Sequence, residues 1–391
     1  MSALTPEARK LKTWLFDTAL ALWWEIGADR IRGGFYEAID LAGYPVAKPH
    51  RARSIARQAF AFLEAGQLGW PGPWREAAEH ALSFFEHFVA PNGCVLSVVN
   101  VDGSTHDPQF DLYNQAFALL AYAAGERLHG PRSRWRERAL TLRRTLQETH
   151  AHPRGGYLED KDTRLSPCAN PHMHLFEAAL VWSGLDGDVG WQRMADETAS
   201  LCLDKFIDAG SGALREFFAE DWSPAPGIAG CLCEPGHLYE WAFLLHCWAA
   251  RANRDRPEAV ARLVTFADRH GVDRRRGVAV NAVLTDGRVH DPVARLWAQT
   301  ERIRAYVIEA RSEADIAAAT AGLWRFLETD KPGLWYDQID ERDQCIMEPA
   351  RATSLYHIVG AVAALSSAGA LMTGVAGSPA PRGAPACDRA R

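Results

Sequence analysis

Apolar residues recur three and four positions apart in twelve stretches of the chain, the spacing of one helical face. They predict helices at roughly 5–26, 50–66, 74–90, 111–128, 133–150, 168–184, 189–207, 235–251, 255–270, 292–309, 312–330 and 351–373. The intervals between them alternate in kind. Each odd-numbered helix is followed by a glycine-led stretch that reads as an irregular loop or short hairpin, while most even-numbered helices pass to the next within a few residues. The glycine-led stretches are Gly33-Gly34-Phe35-Tyr36, Asn92-Gly93-Cys94, Gly155-Gly156-Tyr157, Ser211-Gly212-Ala213, Arg276-Gly277-Val278 and Pro332-Gly333-Leu334-Trp335. They recur about every 60 residues, the length of two helices and two connections.

Short links make antiparallel neighbours, so the unit is a helical hairpin repeated six times. Each hairpin must bury its apolar faces on the next. Six such units close into a ring, which predicts an all-α protein: one (α/α)6 barrel domain over residues 1–376. An open solenoid is the competing arrangement, and closure is favoured because neither terminal repeat carries a polar cap. Gly377–Arg391, with three prolines and little periodicity, reads as a disordered tail.

Composition narrows the partners. With 48% hydrophobic and 24% charged residues in 391, the chain can bury a large core. The formal charge is −6, and the arginines are scattered among acids rather than gathered with aromatics into a stripe. That pattern argues against nucleic acid and for a small, neutral or weakly charged ligand. No apolar run approaches the 18 residues or so of a membrane span; Ile358–Ala376, rich in Ala, Ser and Gly, reads as a buried helix. Eight spread-out cysteines and no secretory signal over Met1–Lys12 predict free thiols in a reducing cytoplasm. A monomer and a homodimer both remain open.

Residues with binding or catalytic chemistry gather near the starts of the even-numbered helices. They are Arg53 and Arg57; Asp111, Tyr113 and Asn114; Asn170, His172 and His174; His237 and Glu240; Trp297 and Glu301; Arg351 and His357. In a ring of hairpins the even helices run parallel, so these starts share one rim and the scattered residues form one pocket. Helix N-termini there present unpaired N–H groups that favour a developing oxyanion.

Within Glu234-Pro235-Gly236-His237-Leu238-Tyr239-Glu240-Trp241, Pro and Gly punctuate a helix start, and His237 and Glu240 fall on one face, where Glu240 could orient the imidazole. A histidine merely satisfied in the core is the plainer reading of His237, and of His357 two turns into the last helix; the shared rim favours the functional one. His172 and His174 diverge by about 200° at helical spacing, which disfavours a shared metal. Cys231 and Cys233 have no second pair at zinc spacing. Trp297, on one face with Glu301, could stack on the C–H face of a sugar.

Six ordered segments, Arg53 to Gln58, Asp111 to Phe117, Asn170 to His174, Glu234 to Trp241, Arg295 to Glu301 and Ser354 to His357, together resemble the N-acylglucosamine 2-epimerase superfamily over roughly Leu15 to Leu371. The resemblance implies an (α/α)6 barrel and proton-transfer chemistry on an opened sugar, with no metal and no cofactor. His237 and His357 match the family's acid/base histidines, while Arg53, Tyr113, His174, Glu240, Trp297 and Glu301 match pocket positions; Asn114 and Asn170 join them as substrate-binding candidates. One histidine would take the C2 proton of an open-chain aldose, with Arg53 holding the enediolate oxygen. Return of the proton to C1 gives a ketose, and return to the opposite face of C2 gives an epimer. The Arg351-to-His357 stretch resembles the monosaccharide isomerase branch, which makes D-mannose to D-fructose the first choice. An N-acyl-D-glucosamine or cellobiose epimerase is the runner-up. The loop Asp221–Cys233 lacks the arginine expected of a sulfoquinovose isomerase. A glycoside hydrolase using Glu240 and Glu301 is the competing enzyme class, and a non-enzymatic helical scaffold a further one.

Overall fold

The computed structural model describes residues 6–159 and 167–366. The tail predicted at 377–391, and the last helix beyond Ser366, lie outside them. Twelve helices follow in order: α1 (6–25, with a π-helical turn at Leu15–Ala19), α2 (Ala52–Gln67), α3 (Trp74–Phe85), α4 (Leu112–His129), α5 (Arg134–Thr149), α6 (Ala169–Leu185), α7 (Val189–Leu201), α8 (Pro235–Arg251), α9 (Glu258–His270), α10 (Leu296–Ile308), α11 (Glu313–Leu327) and α12 (Thr353–Ser366).

The even helices pack one on the next, α2 on α4, then α6, α8, α10 and α12, and α12 returns to α2. The ring of six is therefore closed. Each even helix also packs against an odd one outside it, and the two layers differ in sequence as their burial requires. Outer α9 buries one stripe, Val260, Leu263, Val264 and Ala267, at i, i+3, i+4 and i+7. Inner α4 is buried almost all round, from Leu112 to Glu126. No helix among the described residues is long and apolar enough to cross a membrane.

The chain is not wholly α. Short strands lead into four inner helices, at His50–Arg51, Leu232–Cys233, Val289–Arg295 and Ala350–Arg351. The predicted helix at 292 is corrected here: residues 289–295 form a strand paired antiparallel with Val278–Leu284, and the helix begins at Leu296. The strand carries no alternation of buried and exposed residues, only Ala294 being buried, so it left no period-two signal ahead of the helix.

The glycine-led loops repeat in detail. Gly33, Gly93, Gly155, Gly212, Gly277 and Gly333 all have positive φ, and the residue four positions after each is polar: Glu37, Ser97, Glu159, Glu216, Asn281 and Asp337. Five of these fasten the start of the next inner helix. Glu37 accepts from the Arg51 N–H and the Ser54 hydroxyl, both at 2.8 Å. Asp337 accepts from the Arg351 N–H at 2.8 Å and the Ser354 hydroxyl at 2.5 Å. Glu159 accepts from the Cys168 N–H at 3.2 Å and Glu216 from the Glu234 N–H at 3.3 Å, while the Ser97 hydroxyl accepts from the Asn114 side chain at 3.2 Å. Each bond satisfies a polar group at or near a helix start.

A Cβ on Gly333 would stand 2.9 Å from the Thr18 carbonyl oxygen, whereas one on Gly155 would meet nothing within 4 Å, although their φ values, +95° and +92°, are alike. Gly155→Ala should therefore cost only the left-handed backbone strain of about 1–2 kcal/mol. Gly333→Ala should cost clearly more in urea denaturation, because α1 must move; equal losses would sink this account of the loop.

Candidate active site

Counted from the residue before each inner helix (Arg51, Asp111, Cys168, Glu234, Arg295) and from Arg351, the side chain six positions on is Arg57, Phe117, His174, Glu240, Glu301 or His357. These six meet as a ring inside the protein. The Arg57 guanidinium lies over Phe117 at 4.2 Å. Phe117 touches His174 at 4.5 Å between ring centroids, and His174 Nδ1 is 4.0 Å from a Glu240 oxygen. Ligand atoms of Glu240, Glu301 and His357 lie within 4.8 Å of one another. His357 Nδ1 donates to Glu301 Oε1 at 2.8 Å, and the charge of Arg57 acts on His357 to complete the circuit.

Four of them, Arg57, His174, Glu240 and His357, line a hollow of about 140 Å³. Its wall includes Tyr113, Asn170, His237, Arg295 and Trp297. Trp297 contacts both histidines, its ring 4.9 Å from His237 and 5.9 Å from His357. Below the floor, Arg304 donates to Glu301 Oε2 at 2.6 Å, Tyr356 donates to Glu177, and Glu177 pairs with His174 Nδ1 at 3.3 Å.

The two histidines have opposite electrostatics. Burial depresses the His357 pKa far below the usual imidazole value, and the charges of Arg57 and Arg304 depress it further. It is a neutral base whose Nδ1–H is held by Glu301, leaving Nε2 for the hollow. Burial also works against a charged His237, but Glu216 and then Glu234 outweigh it and raise the pKa to about 9. Glu216 Oε2 is 3.0 Å from His237 Nδ1, and Glu234 Oε2 is 3.9 Å away. At neutral pH His237 is an imidazolium. Burial lowers His174 to about 4 despite Glu177. Burial, with Glu301 and Glu177 nearby, raises Glu240 well above the carboxylate range and keeps it protonated.

Seven of the ten sequence candidates line the hollow: Tyr113, Asn170, His174, His237, Glu240, Trp297 and His357. The other three stand behind or beside it. Arg53 is turned to Asn114 and Asp111, at 3.3 and 3.5 Å. Arg57 reaches the hollow instead, donating to the Tyr113 hydroxyl at 2.7 Å with its Nε unpaired among the described residues. Asn114 is fully buried against Ser97 and Asp111. Glu301 lies under His357.

The partner expected for His237 is also corrected. Glu216, not Glu240, holds the imidazole, while Glu240 faces His174 and Glu301. Glu216 escaped sequence reading because it sits 21 residues before His237, yet its spacing of four from a loop glycine is the repeat's own signal. His172 turns away from the hollow. Its Nε2 accepts from the Tyr157 N–H at 3.0 Å, so its Nδ1 donates to the Cys168 carbonyl at 3.0 Å. Three histidine–carboxylate groups have metal-like spacing among the described residues. In each, the imidazole Nδ1 is already engaged by a carboxylate, so no metal centre is assigned.

The family model described as N-acylglucosamine 2-epimerase (GlcNAc 2-epimerase) matches residues 34–361. The chain is 43% identical over 372 residues to mannose-6-phosphate isomerase of Rhizobium meliloti (strain 1021), covering 91% of this chain and 96% of that protein. It is 24% identical over 352 residues to cellobiose 2-epimerase of Bacteroides fragilis, covering 81% and 87%. A crystal structure of D-mannose isomerase shares the fold with a TM-score of 0.82 at 21% identity, over 94% of this chain and 100% of that one.

The position of His172 makes it structural. His172→Ala should lower unfolding free energy by about 2–4 kcal/mol, from the cavity and two unpaired backbone groups. Chemical denaturation checks this, and wild-type stability in the variant would disprove the assignment.

Proposed function

The chain belongs to the N-acylglucosamine 2-epimerase family of sugar isomerases and epimerases, and from that premise we propose an aldose–ketose isomerase that converts D-mannose to D-fructose. We take it to work as one (α/α)6 barrel domain, in the cytoplasm and without metal or cofactor. The observation that carries this reading is the opposite surroundings of two imidazoles that both contact Trp297, carboxylates at His237 and arginine charge at His357.

Ring opening needs a proton on the ring oxygen and one removed from the O1 hydroxyl, and an imidazolium with a neutral imidazole supplies both. Ring opening leaves His237 neutral and His357 charged, so His357 passes its proton to solvent and His237 regains one from solvent. In the open aldose, His357 then takes the C2 proton while His237 protonates O1, giving an enediol. His357 then returns its proton to C1, and the O2 hydroxyl proton passes back to His237, leaving a ketone at C2. Protons balance and no redox partner enters. Arg57, whose side chain borders the hollow, is suited to hold charge on oxygen as it develops.

An epimerase needs a proton delivered to the opposite face of C2, hence a second group working at carbon. His237 is held charged by two carboxylates and is a poor carbon base, which supports the isomerase. The size of the hollow, below the roughly 300 Å³ at which drug-sized pockets begin, supports one sugar ring rather than the two of cellobiose. Glu301 is fully buried and engaged by His357 and Arg304, which removes the second carboxylate of a hydrolase. A phosphorylated hexose is the second reading, favoured by the name of the 43% identical relative and by Arg57, Arg295 and Arg351 on the wall.

EDTA-treated protein incubated with D-mannose in D₂O should yield fructose carrying deuterium at C1, followed by NMR. Deuterated glucose without fructose would overturn the isomerase, and turnover of mannose 6-phosphate alone would select the second reading. His357→Asn should reduce fructose formation by about 100- to 10,000-fold. In wild type, kcat/KM should fall as pH rises through about 9, where the His237 proton is lost, and should persist below pH 6.5, where His357 stays neutral. A fall in activity already complete by about pH 7 would contradict these roles.

A further inference from the structure

The geometry points to Glu216 as the positioning residue of His237, a loop carboxylate that both fastens the start of α8 and holds the imidazole as the pocket's acid. The inference rests on the acid role proposed above for His237.

The six-fold repeat supplies the comparison. In the first repeat Glu37 spans the Arg51 N–H and the side chain three residues on, Ser54. In the last, Asp337 spans the Arg351 N–H and Ser354, again three residues on. In the fourth, Glu216 spans the Glu234 N–H and the side chain three residues on, which is His237. The carboxylate, its loop position and its two contacts correspond. What changes is the second contact, from a hydroxyl whose charge is fixed to an imidazole whose charge is not.

Glu216 is 3% exposed, so its attraction for the imidazolium is little screened. The other groups facing His237 are Glu234 and Glu240 from its own helix and Trp297 from α10, while Arg295 offsets the charge of Glu234. Glu234 is the farther carboxylate, at 3.9 Å and with a side chain 28% exposed. Only Glu216 makes a direct hydrogen bond to Nδ1 and thereby turns Nε2 to the hollow.

Glu216→Gln keeps an oxygen for the Glu234 N–H and removes the charge. By NMR of labelled histidine, His237 should titrate at least one unit below its wild-type value near 9, and the alkaline limb of kcat/KM should move down with it. On mannose, kcat should fall about 100-fold with KM little changed. Glu37→Gln is the control: it weakens the same clamp where the second contact is a serine, and should lower stability without moving the His237 titration or the pH profile. Glu216→Asp should restore part of the shift.

An unchanged His237 titration in Glu216→Gln would overturn the inference, as would an equal shift in Glu37→Gln. The titration needs no substrate. Absence of sugar turnover with the titration lowered would leave the Glu216–His237 coupling standing and sink only the isomerase reading.

Discussion

The side-chain ring at the floor of the hollow depends on axial register. Arg57, Phe117, His174, Glu240, Glu301 and His357 come from six different helices, five of them the sixth residue of the helix and His357 the fifth. A slip of one residue in any helix would turn its member of the ring by about 100° and shift it by about 1.5 Å. The loop clamps resist it specifically, because each fixes a particular group at the helix start against a loop. The geometry of the ring is thus set at the rim and read out two turns below it.

That arrangement also accounts for the opposite states of the two histidines. His237 is three residues into its repeat and His357 six, so they stand at different depths, about 4.5 Å apart along the helix direction. The shallower position is where loop carboxylates arrive, and Glu216 and Glu234 stabilise a proton there. The deeper position faces Arg57 and Arg304, whose charges reinforce burial in keeping His357 neutral. Glu301 holds that imidazole without making it basic, because Arg304 already engages the same carboxylate. Depth in the ring, rather than the identity of the residue, decides which imidazole carries the proton and which stays neutral.

Much of this was legible in the sequence and some was not. The helical period carried the twelve helices, and glycine recurrence carried the pairing, because both are local. Five of the six floor residues, all but Phe117, stood out as candidates because charged, amide or imidazole groups are rare on a helix that is otherwise apolar. Phe117 looked like core. What failed was partner assignment. Glu240 lies three residues from His237 and was the obvious local partner, but burial drives it to the neutral acid, and Glu216 arrives from a loop 21 residues upstream. Arg53 and Arg57 could not be separated either, since they share a face one turn apart, and only the depth of the hollow shows that Arg57 meets it while Arg53 is spent on Asp111 and Asn114.

Glu240 explains how so many carboxyl groups share one floor. Glu177, Glu240 and Glu301 lie close together, all buried, with Arg304 among them. Three anions beside that arginine would leave a surplus of negative charge in a medium that screens it poorly. Protonation of Glu240 removes one, and burial pushes the Glu301 carboxyl up as well, with Arg304 opposing. A floor relieved of negative charge but lined with donors and acceptors suits hydroxyl groups better than a second charge. The arginines left over, Arg295 and Arg351, belong to the upper wall, so an anionic group on a ligand would be held there rather than at the floor.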